Sequence, residues 1–354
     1  MSLIGIMLSG GKLIDDGLYG CIFTPALECK HKKKQEEVDE KDHLELSKLI
    51  PTSYAKKEDA VATLIRKIPL WKNYFIVSES MCEPSLIQKD KDVVKCHVIQ
   101  DKRLSAFRLL MMPYGGQPLN VHRFSLQTFQ FMDFVTHFIS AGAILNLFGI
   151  VHRDIHGGNI LVDKEDVPRI IDFNLAIFVE NDDAVMKLQH QYNYQLTQEP
   201  PDSTLVNAIK LGYKPNNVIQ SIIYKKNIIK KISNLLQLPL NDMEEELESF
   251  YRQSKSVKQG EDTKWFHVYW RTIDSWAIGV NIVDLFYKLS LWPEFSSQSS
   301  RIKSKLSPVL RGLCAVSPLK RLDCVQALYL LDPNHFIIRK YAGAWLKKVG
   351  YPSV

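Results

Sequence analysis

Three polar residues stand among apolar runs in the middle of this 354-residue chain: Asp154, Asn159 and Asp172. The runs at 150–151, 160–162 and 170–171 are all Ile, Leu or Val. Acidic groups beside buried strands cost several kcal/mol unless something binds them. A metal ion or a substrate hydroxyl would satisfy them, and turn capping is the structural alternative.

The elements that must position these residues follow from periodicity. Residues 12–24 give two strand-like pieces around a Gly17-x-x-Gly20 turn. Glycines there let the backbone approach a ligand and leave N–H groups free for phosphate oxygens, although a plain hairpin has the same pattern. In 43–50, Leu44, Leu46 and Lys48 alternate like a strand. Pro51-Thr52-Ser53 then signals a helix that places Glu58, Val61, Ala62 and Ile65 on one face. A carboxylate on the buried stripe wants a cation, and Lys48 is the candidate. Lys95, on the strand-like 92–99, is the rival. Residues 73–78 form a further expected strand, and an apolar strand over 107–112 stops at Pro113-Tyr114-Gly115-Gly116. The helical spacing of Phe131, Phe134, Val135, Phe138, Ile139 and Leu145 predicts a long core helix over 125–148 that delivers the chain to Asp154. Beyond it, 206–238 and 243–251 read as helices, 254–263 as a polar mobile loop, and 336–354 as a closing helix and tail.

The composition is ordinary for a globular protein: 45% of residues are apolar, enough to bury a core. A net charge of +6 suits nucleotide phosphates or acidic partners, and direct nucleic-acid binding is not expected. The most apolar stretch, 138–151, is too short to span a bilayer and is interrupted by Ser140, Gly142, Asn146 and Gly149. The first residues lack a basic leader and are not read as a signal peptide. The six cysteines form no C-x-x-C pair and read as reduced thiols of a cytosolic protein. A structural metal on some of Cys29, Cys82 and Cys96 is the alternative.

His152-Arg153-Asp154, Asn159 and Asp172-Phe173, in this order and spacing, resemble the catalytic loop and metal-binding turn of the eukaryotic protein kinases. The resemblance implies an α+β, two-lobed kinase-like fold: a small β-rich N-lobe over 1–113 and a large α-helical C-lobe over 114–354, with a helical insertion at about 205–265. It implies ATP and Mg²⁺ as cofactors, Asp154 as the proton acceptor, and Asn159 and Asp172 as metal ligands. Lys48, paired with Glu58, would hold the ATP phosphates under a loop carrying Gly17 and Gly20. Met112 would sit near the gatekeeper position, and the backbone of Tyr114 and Gly115 would meet the adenine edge. Protein serine/threonine hydroxyls would accept the phosphate.

Departures and downstream motifs refine the resemblance. Asp15 stands where the first loop glycine is expected, and Asn174, which tolerates the left-handed conformation, follows Asp172-Phe173 in place of glycine. His156 replaces the usual lysine, so Asp-x-His-x-Gly-Asn also resembles the loop of aminoglycoside and choline kinases. Pro200-Pro201-Asp202 resembles the end of an activation segment. The stretch from Ile273 to Gly279, with Asp274, resembles the central large-lobe helix whose aspartate holds the catalytic loop. Ser317 to Arg321 resembles the segment whose arginine pairs with the activation-segment carboxylate, here as a buried bidentate Arg321–Asp202 pair. Together these favour a protein kinase over a small-molecule kinase or a pseudokinase scaffold, the two alternatives. In such kinases Arg153 pairs with a phosphate on the activation segment: Tyr192, Tyr194, Thr197, Ser203 and Thr204 are acceptors, while Glu180, Asp182 and Asp183 offer fixed charge. The Cys21 to Cys29 stretch, the helical insertion and Pro-Pro-Asp resemble the divergent serine/threonine kinases of large cytoplasmic DNA viruses. That placement implies a cytoplasmic location, in host cytoplasm or virion. The insertion is either a docking surface for a partner or a packing elaboration.

Overall fold

A computed structural model describes residues 11–17, 20–30, 45–88, 91–99, 102–125, 127–181 and 192–352. The expectations for Leu44, for the charged run at 31–42, for the centre of the glycine turn and for Asp182 and Asp183 lie outside the described residues. Contacts divide the chain into two units, Met1–Gly116 with Ile171–Asn174, and Gln117–Ile170 with Leu175–Val354.

The first unit is built on an antiparallel sheet of β1 (Lys12–Gly17), β2 (Gly20–Thr24), β3 (Glu45–Pro51), β4 (Ser80–Cys82) and β5 (Phe107–Pro113), in the order β1-β2-β3-β5-β4. Side chains alternate across a strand, so each face collects its own core. Cys21, Phe23, Leu49, Phe107 and Leu109 bury one face against Leu27, Val93 and Cys96. Ile50 and Leu110 bury the other face with Ala55 of α1 (Thr52–Ile65), joined by Met81 and Met112.

Three expectations for this unit are corrected. Residues 92–99 are not a strand: Lys91–Lys95 is a 3-10 helix that covers the Cys21 face with Val93 and Cys96. Residues 73–78 do not form a strand either; α2 (Trp71–Tyr74) precedes an extended run, and the paired strand comes later, at β4. Cysteines 21, 29, 82 and 96 are not free thiols. Cys21 is bonded to Cys96 and Cys29 to Cys82, each pair with its Cα atoms 5.9 Å apart. Partners 75 and 53 residues apart become neighbours only through the sheet, so spacing could not reveal them.

The second unit is mostly helical. Two small sheets, β6 (Gln117–Pro118) with β8 (Ile160–Val162) and β9 (Pro168–Ile170), and β7 (Ile150–Val151) with β10 (Ile177–Phe178), frame the Asp154 loop. The central helix α3 (Phe131–Leu147) starts later than expected, because the Ser125 carbonyl closes turns with the N–H groups of Thr128 and Phe129. Its polar interruptions have packing reasons. A Cβ at Gly142 would meet Ile278 and Cys324 side-chain atoms at 2.4 and 2.5 Å. Buried Asn146 donates to the Arg271 carbonyl and accepts from the Cys324 N–H.

The expected 206–238 helix is three helices: α4 (Pro201–Lys210), α5 (Pro215–Lys225) and α6 (Asn227–Leu236). Gly212 at φ +86° and Pro215 break the first junction, and Lys226 turns its side chain inward at the second. After α7 (Leu240–Gln253), residues 254–263 are not a polar loop. They carry α8 (Lys255–Lys258), capped by Ser254, and the start of α9 (Asp262–Tyr269), which buries Trp265 and Phe266. The unit closes with α10 (Ile273–Leu289), α11 (Pro293–Leu313), α12 (Cys324–Leu331), α13 (Phe336–Tyr341) and α14 (Gly343–Val349). Among the described residues no helix is long and apolar enough to cross a membrane.

Candidate active site

The first unit places Lys48 on β3, opposite Leu110 of β5, on the face that carries Ile50. Its ammonium donates to both carboxylate oxygens of Glu58 on α1, at 2.9 Å each. The rival Lys95 is paired with Asp92 at 2.6 Å on the 3-10 helix. Met112 is half-buried at the end of β5, Tyr114 is exposed and Gly115 is buried. Gly17 faces Gly20 across the turn between β1 and β2. Gly20 is required by packing: a Cβ would meet Ile50 Cγ2 at 2.0 Å and the Leu49 carbonyl at 2.5 Å. The close approach read from sequence as an approach to a ligand is thus, at Gly20, an approach to β3.

Asp172 also belongs to this unit. The left-handed residue of its turn is Asp172 itself, at φ +63°, and not Asn174, which lies in the single helical turn Phe173–Leu175 and donates its N–H to Asp172 Oδ1 at 3.3 Å. A non-glycine residue in this region costs on the order of 1–3 kcal/mol and persists where its surroundings over-determine it. Here buried Phe173 meets Phe75 edge-on, ring centroids 5.5 Å apart.

In the second unit, Asp154 and Asn159 come together. Asn159 Nδ2 donates to the Asp154 carbonyl at 3.0 Å and to Asp154 Oδ2 at 3.2 Å. With Nδ2 committed, Oδ1 of this nearly buried side chain is the atom left for a cation. Asp154 Oδ1 accepts from Gln198 Nε2 at 2.9 Å. His156 lies beside Oδ2, with Nε2 at 3.7 Å. Its Nδ1 accepts from the Gly158 N–H at 3.0 Å, which puts the imidazole proton of the neutral ring on Nε2, toward the carboxylate.

The loop is pinned from below. Asp274 Oδ2 and Oδ1 accept from the N–H groups of His152 and Arg153 at 2.6 and 2.9 Å, and Asn281 donates to the Ile155 carbonyl at 3.0 Å. These bonds hold Arg153 at φ +70°. Burial raises the Asp274 pKa against the pull of His152 and of both N–H groups. Burial likewise lowers the Arg153 pKa, opposed first by Glu199 and then by Asp274 and Asp154.

Glu199 is therefore the acidic neighbour that acts most strongly on Arg153. Burial raises the pKa of its carboxyl, while Lys226 and hydrogen bonds from Thr204, Ser203 and Asn207 pull it down. The hydroxyls of Ser203 and Thr204, read from sequence as phosphate acceptors, both donate to it, at 3.1 and 2.9 Å. Asp202 and Arg321 are fully buried and paired, with one correction: the contact is a single Nη2–Oδ1 bond of 2.7 Å and not bidentate. Trp265 Nε1 takes Asp202 Oδ2, and the other guanidinium donors go to the carbonyls of Ala315, Thr272 and Val316.

A family model described as protein tyrosine and serine/threonine kinase matches residues 22–203, just over half of the chain. The chain belongs to this kinase family. A rice protein (Oryza sativa subsp. japonica), described as a protein kinase and PP2C-like domain-containing protein, is 26% identical over 132 residues. That alignment covers 37% of this chain and 18% of the rice protein, so the chain matches less than a fifth of that relative's length. The kinase-family match takes in Lys48, Glu58, Asp154, Asn159, Asp172 and Gln198. It leaves Asp274 and Arg321 beyond its end.

Sequence reasoning missed Gln198 and Glu199. Both lie immediately before the Pro200-Pro201-Asp202 motif, and that position was the only available signal. Their partners Asp154 and Arg153 are more than forty residues away.

Proposed function

We propose that this chain is an ATP- and Mg²⁺-dependent protein kinase that phosphorylates serine and threonine hydroxyls of protein substrates. The observation that carries the reading is the Asp154 carboxylate, oriented by Asn159 and Gln198 on a loop whose backbone is held by buried Asp274. A carboxylate fixed in this way can aim an acceptor hydroxyl and take its proton. Lys48, held by Glu58, is assigned to the α and β phosphates of ATP, beneath the turn of Gly17 and Gly20. Met112 and the backbone of Tyr114 and Gly115 are assigned to the adenine.

Each residue by itself offers oxygen suited to a hard cation: among the described residues Asn159 Oδ1 accepts no hydrogen bond, and Asp172 accepts one long bond from Asn174. Bound Mg²⁺ would neutralise phosphate charge, and Asn159 and Asp172 are the residues assigned to hold it. The Nε2–H of His156 would then stand in for the usual lysine beside the transferring phosphate. The lobe division at 113/114 and an insertion at 205–265 belong to the same reading. So does kinship with the kinases of large cytoplasmic DNA viruses, with a place in host cytoplasm or virion, supported by the Cys21–Cys29 stretch. The helices over 201–269 are the surface where a docking partner would bind.

His156 favours one other reading, a small-molecule kinase. Labelled ATP with casein, histone or the chain itself separates the two. Wild type should phosphorylate protein, while Asp154→Asn should lose about 10²–10⁴-fold in turnover and keep its ATP affinity. Phosphorylation of an aminoglycoside or choline and of no protein would transfer the assignment to small molecules. ATP binding with no transfer by wild type to any acceptor would leave a pseudokinase.

A further inference from the structure

Three consecutive residues ahead of the Pro200-Pro201-Asp202 motif are each held from a different direction. The Trp276 indole Nε1 donates to the Thr197 carbonyl at 3.0 Å, and Gln198 Nε2 donates to Asp154 Oδ1 at 2.9 Å. Lys226 Nζ donates to the Glu199 carbonyl at 2.6 Å and lies 5.7 Å from the centroid of the Trp276 ring. We propose that Lys226 is a positioning residue for phosphoryl transfer: by fixing the Glu199 carbonyl, it sets the Gln198 amide on the Asp154 carboxylate. The proposal rests on the kinase reading for what Asp154 does, but not for where Lys226 places Gln198.

Stability does not account for this lysine. Lys226 is 1% exposed, and among the described residues its ammonium makes one hydrogen bond, to a carbonyl. An ammonium has three protons to place and loses several kcal/mol of hydration on burial. A methionine would fill the same space without that cost. Glu199 draws on the charge, but its carboxylate already takes hydrogen bonds from Ser203, Thr204 and Asn207. Arg321, over the same indole ring, repels it. What the ammonium does, and an apolar side chain could not, is hold a carbonyl one residue from the group that touches Asp154.

The local backbone delivers the side chain to that place. Lys226 is the single extended residue, at φ −76° and ψ 111°, between α5 and α6. The break frees it from the outer faces of both helices, where Lys225, Lys230 and Lys231 stay exposed. The junction of these two helices thereby gains a role at the Asp154 loop, apart from any partner bound on their surface. Small displacements matter there, since misplacing a reacting group by about 1 Å can cost about 10²-fold in rate.

The test uses the full chain and two readouts. One is steady-state kinetics with labelled ATP and casein. The other is the side-chain amide NMR signal of Gln198, identified by its loss in Gln198→Ala. Lys226→Met should lower kcat and kcat/KM for ATP by the same factor, about 10–100-fold, and move the Gln198 signal toward that of a free glutamine amide. Adding Lys226→Met to Gln198→Ala should change kcat by no more than about twofold, because the amide through which the lysine acts is already gone. Should Lys226→Met not fold, Lys226→Arg carries the test: kcat and the Gln198 signal should stand or fall together, and either moving alone overturns the proposal. So does a multiplied loss in the double variant, a fall in kcat in Lys226→Met with the signal unmoved, or a Gln198→Ala variant as active as wild type. Wild type that transfers phosphate to no acceptor would sink the kinase reading by itself. The Gln198 signal then decides alone: a shift in Lys226→Met upholds the brace, and an unmoved signal removes it.

Discussion

Two ion pairs, one in each unit, show how differently the same chemistry is used. Lys48–Glu58 joins a strand to the next helix with side chains 17% and 20% exposed. Arg321–Asp202 joins residues 119 positions apart with both side chains 0% exposed. Exposed pairs contribute about 0–1 kcal/mol, and buried pairs roughly break even against apolar replacements of the same shape. Neither pair is therefore explained by the stability it adds. The difference appears when one partner is removed. Water can reach the half-open survivor of the first pair, but nothing can reach the sealed survivor of the second.

The largest effect should come from the sealed pair. Arg321→Leu leaves Asp202 charged and buried, with Trp265 Nε1 as its one side-chain hydrogen-bond partner among the described residues and the Lys226 charge nearby, and chemical denaturation should show a loss of about 3–5 kcal/mol. Adding Asp202→Leu should recover most of it, less about 1–3 kcal/mol for the indole N–H left unpaired. A single-variant loss under about 1 kcal/mol would remove the contrast between the two units.

The two units were also unequally legible. Lys48 and Glu58 could be paired from sequence because strand alternation and helix periodicity each point one side chain at the other, and only ten residues separate them. The Asp154 loop could be placed from its motif, and Asp274 and Arg321 from theirs. What the sequence hid were contacts made by side chains with no periodic signature: Gln198 on Asp154, Glu199 beside Arg153, Lys226 folded inward, and the two disulfides. Each joins points that only the finished fold brings together. The strand expected at 92–99 failed for a related reason. Val93 and Cys96 are buried at helical spacing, whereas a strand would have alternated them.

A second, smaller effect comes from Lys226, which lies against the same buried group. Its ammonium sits 5.7 Å from the centroid of the Trp276 ring, over which Arg321 also lies at 5.5 Å, and it donates to the Glu199 carbonyl at 2.6 Å. Burial, resisted by Glu199, holds its pKa down to about 8 from 10.5. Between those values the folded chain has released a proton that the unfolded chain still binds, so stability rises with pH across that window. The full benefit is present above about pH 10.5 and is lost as pH falls through about 8. Relative to Lys226→Met, wild type should gain on the order of 3 kcal/mol between pH 7 and pH 10.5. The comparison must be with the variant, because buried Cys314 and Tyr74, both raised to about 12, make wild type lose stability over the upper part of the same range. A flat difference between the two denaturation curves would mean that water reaches the Lys226 ammonium.

The smallest change in stability is expected where the change in activity should be complete. Lys48→Met removes an ammonium that is paired, among the described residues, with Glu58 alone, and the Glu58 carboxylate stays within reach of water. Unfolding free energy should shift by less than about 1 kcal/mol. If Lys48 is kept for ATP phosphates, the same variant should lose phosphoryl transfer while its denaturation curve overlays that of wild type. A loss of several kcal/mol would instead make Lys48–Glu58 a second structural pair like Arg321–Asp202. The strand-to-helix geometry that places Lys48 would then serve the sheet, and the phosphate-binding lysine would have to be sought elsewhere.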